Sequence, residues 1–202
     1  MTQAAILFAG PDLNVYNDAV NFELVLRALI AEFDRLQIRC AAIGGFALGV
    51  LGAPRQTMDL DFLVHRDDLT KLDGALTGLG YRRIVRTENV SQYRHDNEVW
   101  GSVDFIHAFR KISLAMLQRA KSYPAFGGAQ SVKAVEPEDV IGLKVQAMSN
   151  DPARKSQELS DIERLAARYG AKLDWDRVQE FYDLFGLGEE AKKLKDRFGH
   201  AQ

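Results

Sequence analysis

The first two thirds of the chain alternate between apolar positions at helical spacing and short apolar runs. Residues 19–36 predict one amphipathic helix, whose apolar positions are Val20, Leu24, Leu26, Ile30 and Phe33. Short apolar or alternating runs bounded by glycine and turn residues predict strands. We expect these strands at 38–43, 58–64, 81–87, 89–95, 98–108 and 131–136. We expect further helices at 46–52, 67–80 and 112–122. This order predicts an α/β (α+β) fold with a mixed sheet flanked by helices.

From Pro137 onward the pattern is helical only. Pro137 is followed by acids, Asp151 is followed by proline, and Asp174 precedes an apolar helical pattern, all of which are typical helix starts. These signals predict helices at 137–148, 151–169, 175–186 and 188–198. The chain therefore divides into a core at 1–136 and a helical C-terminal region at 137–202.

Composition restricts the class of protein without naming it. Hydrophobic residues make up 47% of the 202 residues and charged residues 27%, as in a globular domain with a real core. The net charge of −2 provides no overall field for polyanions. The single cysteine, Cys40, excludes an internal disulfide and favours a reducing, cytoplasmic location. We expect no signal peptide at residues 1–10, which lack a basic segment, and no membrane span.

Two acids one residue apart suggest a cation site. In a strand, Asp59 and Asp61 lie on one face, and Leu60, Phe62 and Val64 lie on the core-facing side. The two Cβ atoms on one face stand roughly 7 Å apart. Carboxylates at this spacing suit Mg²⁺, which prefers oxygen ligands and often bridges them to substrate phosphates.

A glycine pair supplies the complementary feature. Gly44 and Gly45 end one strand and open a short helix, where a backbone without Cβ atoms lets a phosphate approach closely. Arg55 and Thr57 lie in the loop just before the acids and could add a charge and a hydroxyl. This segment therefore predicts a phosphate cradle next to a metal site.

The pattern of Gly44-Gly45, residues 46–58, and then Asp59-Leu60-Asp61 resembles the DNA polymerase beta-like nucleotidyltransferase superfamily. The resemblance implies the nucleotidyltransferase fold and a third carboxylate on a later strand, which Asp104 in SVDFIHA matches. An exposed position at a sheet edge is the alternative interpretation of Asp104.

The form Arg-x-Thr-x-Asp-x-Asp resembles more narrowly a bacterial family of abortive-infection toxins in type IV toxin–antitoxin pairs. That family carries a lysine and then a basic and acidic segment, which Lys144 and the run with Arg154, Lys155 and Asp161 match in order. Ser156 departs from the acid that often follows the base, so a role for Lys155 does not carry over. The resemblance implies a toxin with a cognate antitoxin protein and tRNA as the acceptor.

The resemblance also implies the chemistry. Asp59, Asp61 and Asp104 would bind Mg²⁺, or Mn²⁺ in its place, and catalyse transfer of a nucleoside monophosphate from an NTP such as ATP to an acceptor hydroxyl. The nucleotide-binding residues would be Gly44, Gly45, Arg55, Thr57 and Lys144. Lys144 also follows an apolar row, so a purely structural place for its side chain stays open.

Other interpretations remain open at this stage. Antibiotic adenylylation differs only in the acceptor and would need an acidic pocket for a cationic drug. A catalytically silent nucleotide-binding scaffold would keep the fold without turnover. The arginines of the predicted hairpin form either a solvated surface or a basic rim for RNA, and they are Arg82, Arg83, Arg86 and Arg94.

Overall fold

The computed structural model describes residues 20–57 and 59–200. The predictions for residues 1–10, for a helix start at residue 19 and for a strand start at Met58 lie outside these residues. Within the described part of the chain, no helix combines the length and apolarity needed to cross a membrane.

Seven strands form one mixed sheet. They are β1 (Cys40–Ile43), β2 (Leu60–His65), β3 (Tyr81–Arg86), β4 (Val90–His95), β5 (Ser102–Ala108), β6 (Lys121–Ala125) and β7 (Gln130–Ala134). Their order across the sheet is β3-β4-β5-β2-β1-β7-β6. The pairs β2–β5 and β1–β7 are parallel, and the other neighbours are antiparallel. The predicted mixed sheet flanked by helices is thus confirmed.

Eight α-helices accompany the sheet in the described residues. Four belong to the first region, namely α1 (Phe22–Leu36), α2 (Gly44–Val50), α3 (Leu69–Gly78) and α4 (Lys111–Arg119). Four follow β7, namely α5 (Pro137–Asn150), α6 (Lys155–Tyr169), α7 (Trp175–Asp183) and α8 (Gly188–Phe198). Short 3-10 turns at Arg66–Asp68, Phe126–Gly128, Pro152–Arg154 and Gly170–Lys172 complete the described structure.

One face of the sheet is covered by α1, with α3 packed beside it. Phe33 of α1 stands edge-on to Phe62 and Phe105, with ring centroids 5.7 and 6.2 Å apart, respectively. Leu26 and Phe33 of the predicted apolar positions are buried, whereas Leu24 is 43% exposed, and the buried row of α1 includes two residues that were not predicted. That row consists of Val25, Leu26, Leu29 and Phe33.

The opposite face carries Asp61 and Leu63 on β2 beside Asp104 and Ile106 on β5. Leu63 is fully buried, although alternation places it on the same face as the acids. Helix α4 packs against β2 and β5 on this face, and therefore both faces of the central strands are covered. Asp61 and Asp104 lie at the edge of the surface that α4 covers.

Two boundaries differ from the predictions for clear reasons. The helix predicted at 112–122 ends at Arg119, and the next residues form β6, an outer strand that contains Pro124. Proline suppresses a strand signal in sequence but is tolerated at a sheet edge. The strand predicted at 98–108 begins only at Ser102, because a turn ends at Gly101, whose φ is +62°.

Candidate active site

The glycine pair forms the start of α2 directly after β1. Gly44 has a φ of +65°, and a Cβ atom at this position would lie 2.1 Å from Oδ2 of Asp61. A Cβ atom on Gly45 would lie 2.8 Å from Oγ1 of Thr57 and 3.0 Å from Nη2 of Arg55. Only glycine fits between the helix start and these side chains. The four residues predicted to bind nucleotide at this turn are therefore brought together against one of the acids.

Two of the three predicted acids lie side by side. Asp61 and Asp104 face each other in register on the parallel strands β2 and β5. Asp59 is exposed and precedes β2, which begins at Leu60, so the prediction that Asp59 belongs to this strand is wrong. Asp59 nevertheless stands close enough to raise the pKa of both other carboxyls.

The electrostatics of the acids favour a bound cation. Burial, followed by repulsion from Asp104 and Asp59, raises the pKa of Asp61 to about 6, against weaker opposing effects of Lys144 and Arg55. Burial also raises the pKa of Asp104, although Gln92 donates a hydrogen bond to its Oδ2 at 2.8 Å. These carboxylates repel one another, and a cation between them would relieve that repulsion.

The donor set fits a hard divalent cation. It consists only of carboxylate oxygens, which Mg²⁺ prefers over nitrogen and sulfur. Within residues 20–57 and 59–200, no group of three histidine, cysteine or acidic side chains is already arranged around a metal position. Asp59 is the exposed member of this set and lies just before β2.

Helix α6 holds the loop between α2 and the acids. Arg164 donates a hydrogen bond to the carbonyl of Pro54 at 3.2 Å, and Tyr169 donates one to the carbonyl of Leu51 at 3.0 Å. At the end of the loop, Thr57 donates its hydroxyl hydrogen to the carbonyl of Asp59 at 3.2 Å. The loop that leads from α2 to the acids is thus held by hydrogen bonds near both of its ends.

A buried ion-pair network connects this loop to α5 and α6. Nζ of Lys144 lies 2.8 Å from Glu158 and 2.5 Å from Asp161. Nε of Arg55 lies 3.0 Å from the same oxygen of Asp161, and Arg154 lies 2.5 Å from Glu158. Lys144 is 5% exposed and each of the two acids 1%. Lys144, predicted to bind nucleotide, therefore directs its amine at two carboxylates of α6.

The hairpin arginines are divided between the two faces of the sheet. Arg83 and Arg86 form ion pairs with Asp73 of α3, on the face away from the acids. Arg82 and Arg94 are cross-strand partners on the face of Asp104, and Arg82 pairs with Asp96 there.

Several residues of the site were not predicted from the sequence. Gln92 lies directly across from Asp104 in the antiparallel pair β4–β5, and its polar position in an alternating run was the available signal. Glu158, Arg164 and Tyr169 reach the site through tertiary contacts of α6, for which the sequence provides no local signal. Lys155 is exposed and forms no ion pair among the described residues.

A mixed sheet with a glycine turn beside in-register acids defines the class as a nucleotidyltransferase, and comparison with known families agrees. A family model described as uncharacterised nucleotidyltransferase matches residues 14–191. The chain belongs to this family and is a nucleotidyltransferase enzyme. The nucleotidyltransferase part of the predicted resemblance is confirmed, and the closer relationship to toxins stays a prediction. No curated protein matches the chain in sequence.

Solved structures show the same fold at low sequence identity. The antibiotic-resistance factor ANT(2'')-Ia is 12% identical, with a TM-score of 0.63 over 86% of this chain and 96% of its own. The lincosamide antibiotic adenylyltransferase LnuA is 14% identical, with a TM-score of 0.54 over 75% and 99%. An antigenic nucleotidyltransferase-like protein from Paracoccidioides brasiliensis is 17% identical, with a TM-score of 0.52 over 88% and 94%. These likenesses confirm the nucleotidyltransferase fold.

Proposed function

We propose that the protein transfers a nucleoside monophosphate from an NTP to an acceptor hydroxyl with the help of Mg²⁺, or of Mn²⁺ in its place. The observation that supports this most directly is the contact between the backbone of Gly44 and the carboxylate of Asp61, with Asp104 in register beside it. The proposed phosphate site at Gly44 is therefore directly adjacent to the proposed cation site at Asp61 and Asp104.

Each side chain has a role in this proposal. Asp59, Asp61 and Asp104 would hold the cation, which supplies charge neutralisation at the transferred phosphate when bound. The backbone at Gly44 and Gly45 admits the remaining phosphates, because no Cβ atoms intervene.

Three further residues act on the cradle from its edges. Arg55 and Thr57 pack over Gly45 and keep the loop in place. Lys144 acts from a greater distance by fixing Asp161, the partner of Arg55.

The reaction is a single displacement at phosphorus. The acceptor oxygen forms a bond to the α-phosphorus, and the bond from that phosphorus to the bridging β-oxygen breaks. Pyrophosphate leaves on the side of the glycine turn, and the hydroxyl proton passes to a carboxylate oxygen of Asp104. No bond to the protein forms, so the rate comes from positioning and charge neutralisation.

The test is binding and transfer with matched variants. Mg²⁺ together with an NTP should raise the melting temperature of the wild type, and EDTA should remove most of this shift. Asp104→Asn should retain the fold and lose both the metal-dependent shift and label transfer from an α-labelled NTP. Asp96→Asn, which changes an exposed acid outside the site, is the control. A wild type that shows the shift but transfers no label would support a silent nucleotide-binding scaffold, and a wild type that shows no shift with any of the four NTPs would contradict the proposal.

A tRNA acceptor, and with it a toxin role and a cognate antitoxin, is a second candidate. Arg82 and Arg94 on the face of Asp104 favour it. Of the four hairpin arginines, only Arg94 lacks an ion pair within the described residues, so the surface offers few contacts for an RNA backbone. Exchange of Arg94 for alanine should weaken RNA labelling and reduce its dependence on salt if this candidate is right. A cytoplasmic location stays a prediction that rests on the single cysteine.

A further inference from the structure

A groove continues the site along the face of the acids. Leu63 and Ile106 follow Asp61 and Asp104 by two positions on β2 and β5, and both line the groove. The groove lies between the sheet and helices α4, α5 and α7 and has a volume of about 820 Å³. This volume is in the range of sites for small molecules of drug-like size.

The groove is lined by large apolar side chains that are partly exposed to solvent. Ile106, Ile112 and Leu184 are 37%, 45% and 59% exposed, and all three line it. The described chain has four other large hydrophobic residues of comparable exposure, none of which lines it. Such a concentration of exposed apolar surface marks a binding surface rather than an ordinary solvated one.

The charges of the groove exclude one type of ligand. Asp151 is its single acid, beside Arg110 and Arg154, and Oδ1 of Asp151 already accepts a hydrogen bond from the amide of Ala153 at 3.0 Å. A polycation would lose its hydration here without carboxylates to compensate. Side-chain amides on the same walls supply neutral hydrogen-bonding groups, and they belong to Asn89, Gln146 and Asn150.

The position of the groove relative to the phosphate cradle indicates whether it binds the NTP or the acceptor. In a displacement at phosphorus, the attacking and leaving oxygens are roughly in line. The proposed phosphate cradle lies at Gly44, on the β1 side of Asp61, so the attacking hydroxyl approaches from the side of Asp104 and β5. The groove lies next to Asp104 on β5, two positions further along the same strand at Ile106.

From these observations we infer that the groove is the acceptor site, and that the acceptor is an uncharged or singly anionic small molecule with a hydroxyl and an apolar face. This inference rests on the proposed function and narrows it. A polycationic aminoglycoside does not suit this groove, whose single acid is Asp151, and a volume of about 820 Å³ suits a small molecule rather than RNA.

The first test is a binding measurement with the amphipathic anion 8-anilinonaphthalene-1-sulfonate as the probe. Its fluorescence should rise to saturation on the wild type. Leu184→Glu should weaken the binding about tenfold or more, because it replaces an apolar wall with a like charge. Ile84→Glu is the matched control, since Ile84 is 54% exposed on β3, outside the groove. It should bind the probe as the wild type does.

Competition and transfer complete the test. Saturating Mg²⁺ and ATP should leave the probe bound, and tobramycin should not displace it. Absence of saturable binding, equal binding by Leu184→Glu, or displacement by ATP or tobramycin would overturn the inference. Label passing from an α-labelled NTP to tobramycin or to total tRNA would overturn it too, while leaving the transferase chemistry intact. Failure of the proposed function is separate, because it shows as loss of the Mg²⁺-dependent shift with every NTP.

Discussion

Replacement of Lys144 by methionine tests whether this side chain supports the site or binds the nucleotide. The change keeps the length of the side chain and removes the charge between Glu158 and Asp161, which lie 2.8 and 2.5 Å from Nζ. All three side chains are at most 6% exposed. Removal of one partner of a buried pair costs about 3–5 kcal/mol, because the remaining charge stays buried. For a chain of this length, that cost corresponds to a loss of roughly 6–20 °C in melting temperature.

The assay is thermal unfolding beside steady-state transfer. Lys193→Met is the control, since Lys193 is exposed and forms no ion pair among the described residues. Addition of Glu158→Gln to Lys144→Met removes one of the two buried carboxylate charges that have lost the lysine, although Glu158 keeps Arg154 as a partner, and should restore about 1–3 kcal/mol. A melting temperature within about 2 °C of the wild type, together with a collapse of kcat/KM for the NTP, would refute this reasoning. Lys144 would then act on the nucleotide itself.

Three further variants test the surroundings. Gly44→Ala should abolish transfer and destabilise the fold by about 1–3 kcal/mol, because its Cβ atom would lie 2.1 Å from Asp61; a fully active variant would contradict this geometry. Asp61→Asn should abolish transfer yet, without divalent cation, melt no lower than the wild type, since it relieves repulsion. Burial alone would raise the pKa of Asp68, but hydrogen bonds and charge from Arg39 outweigh burial and hold it low. Asp68→Asn should therefore cost about 1–2 kcal/mol in urea unfolding at neutral pH, and the difference should shrink as the pH falls below about 4. An undiminished difference in acid would show that the ionised carboxylate is not responsible.

The part of the site that the sequence predicted depends on local rules. Alternation in a strand places Asp61 on the face opposite Phe62, and a glycine pair marks a turn whatever surrounds it. Asp104 was matched through the family resemblance, and its place beside Asp61 depends on the pairing of β2 with β5. The partners of Lys144 are different, because they depend on how α5 packs against α6, and two buried acids on a helix resemble surface acids in sequence.

The fold shows the same division between local and tertiary causes. Turn residues and periodicity predicted most of the strands and helices along the chain, whereas the order of the strands across the sheet was not predicted. Leu24 is exposed because tertiary packing selected a neighbouring row of α1. β6 was missed because Pro124 suppresses a strand signal that an edge position tolerates.

The contact between Arg55 and Asp161 joins residues 106 positions apart in the chain. The loop that leads to the acids therefore depends on a contact with the helical region, although the predicted boundary at residue 136 separates the two in sequence. A fragment of residues 1–136 would carry every proposed metal ligand but would lack the helix that shapes the loop leading to them. Any exchange of the helical region for that of a relative would therefore have to include this loop, so that the contact between Arg55 and Asp161 is kept.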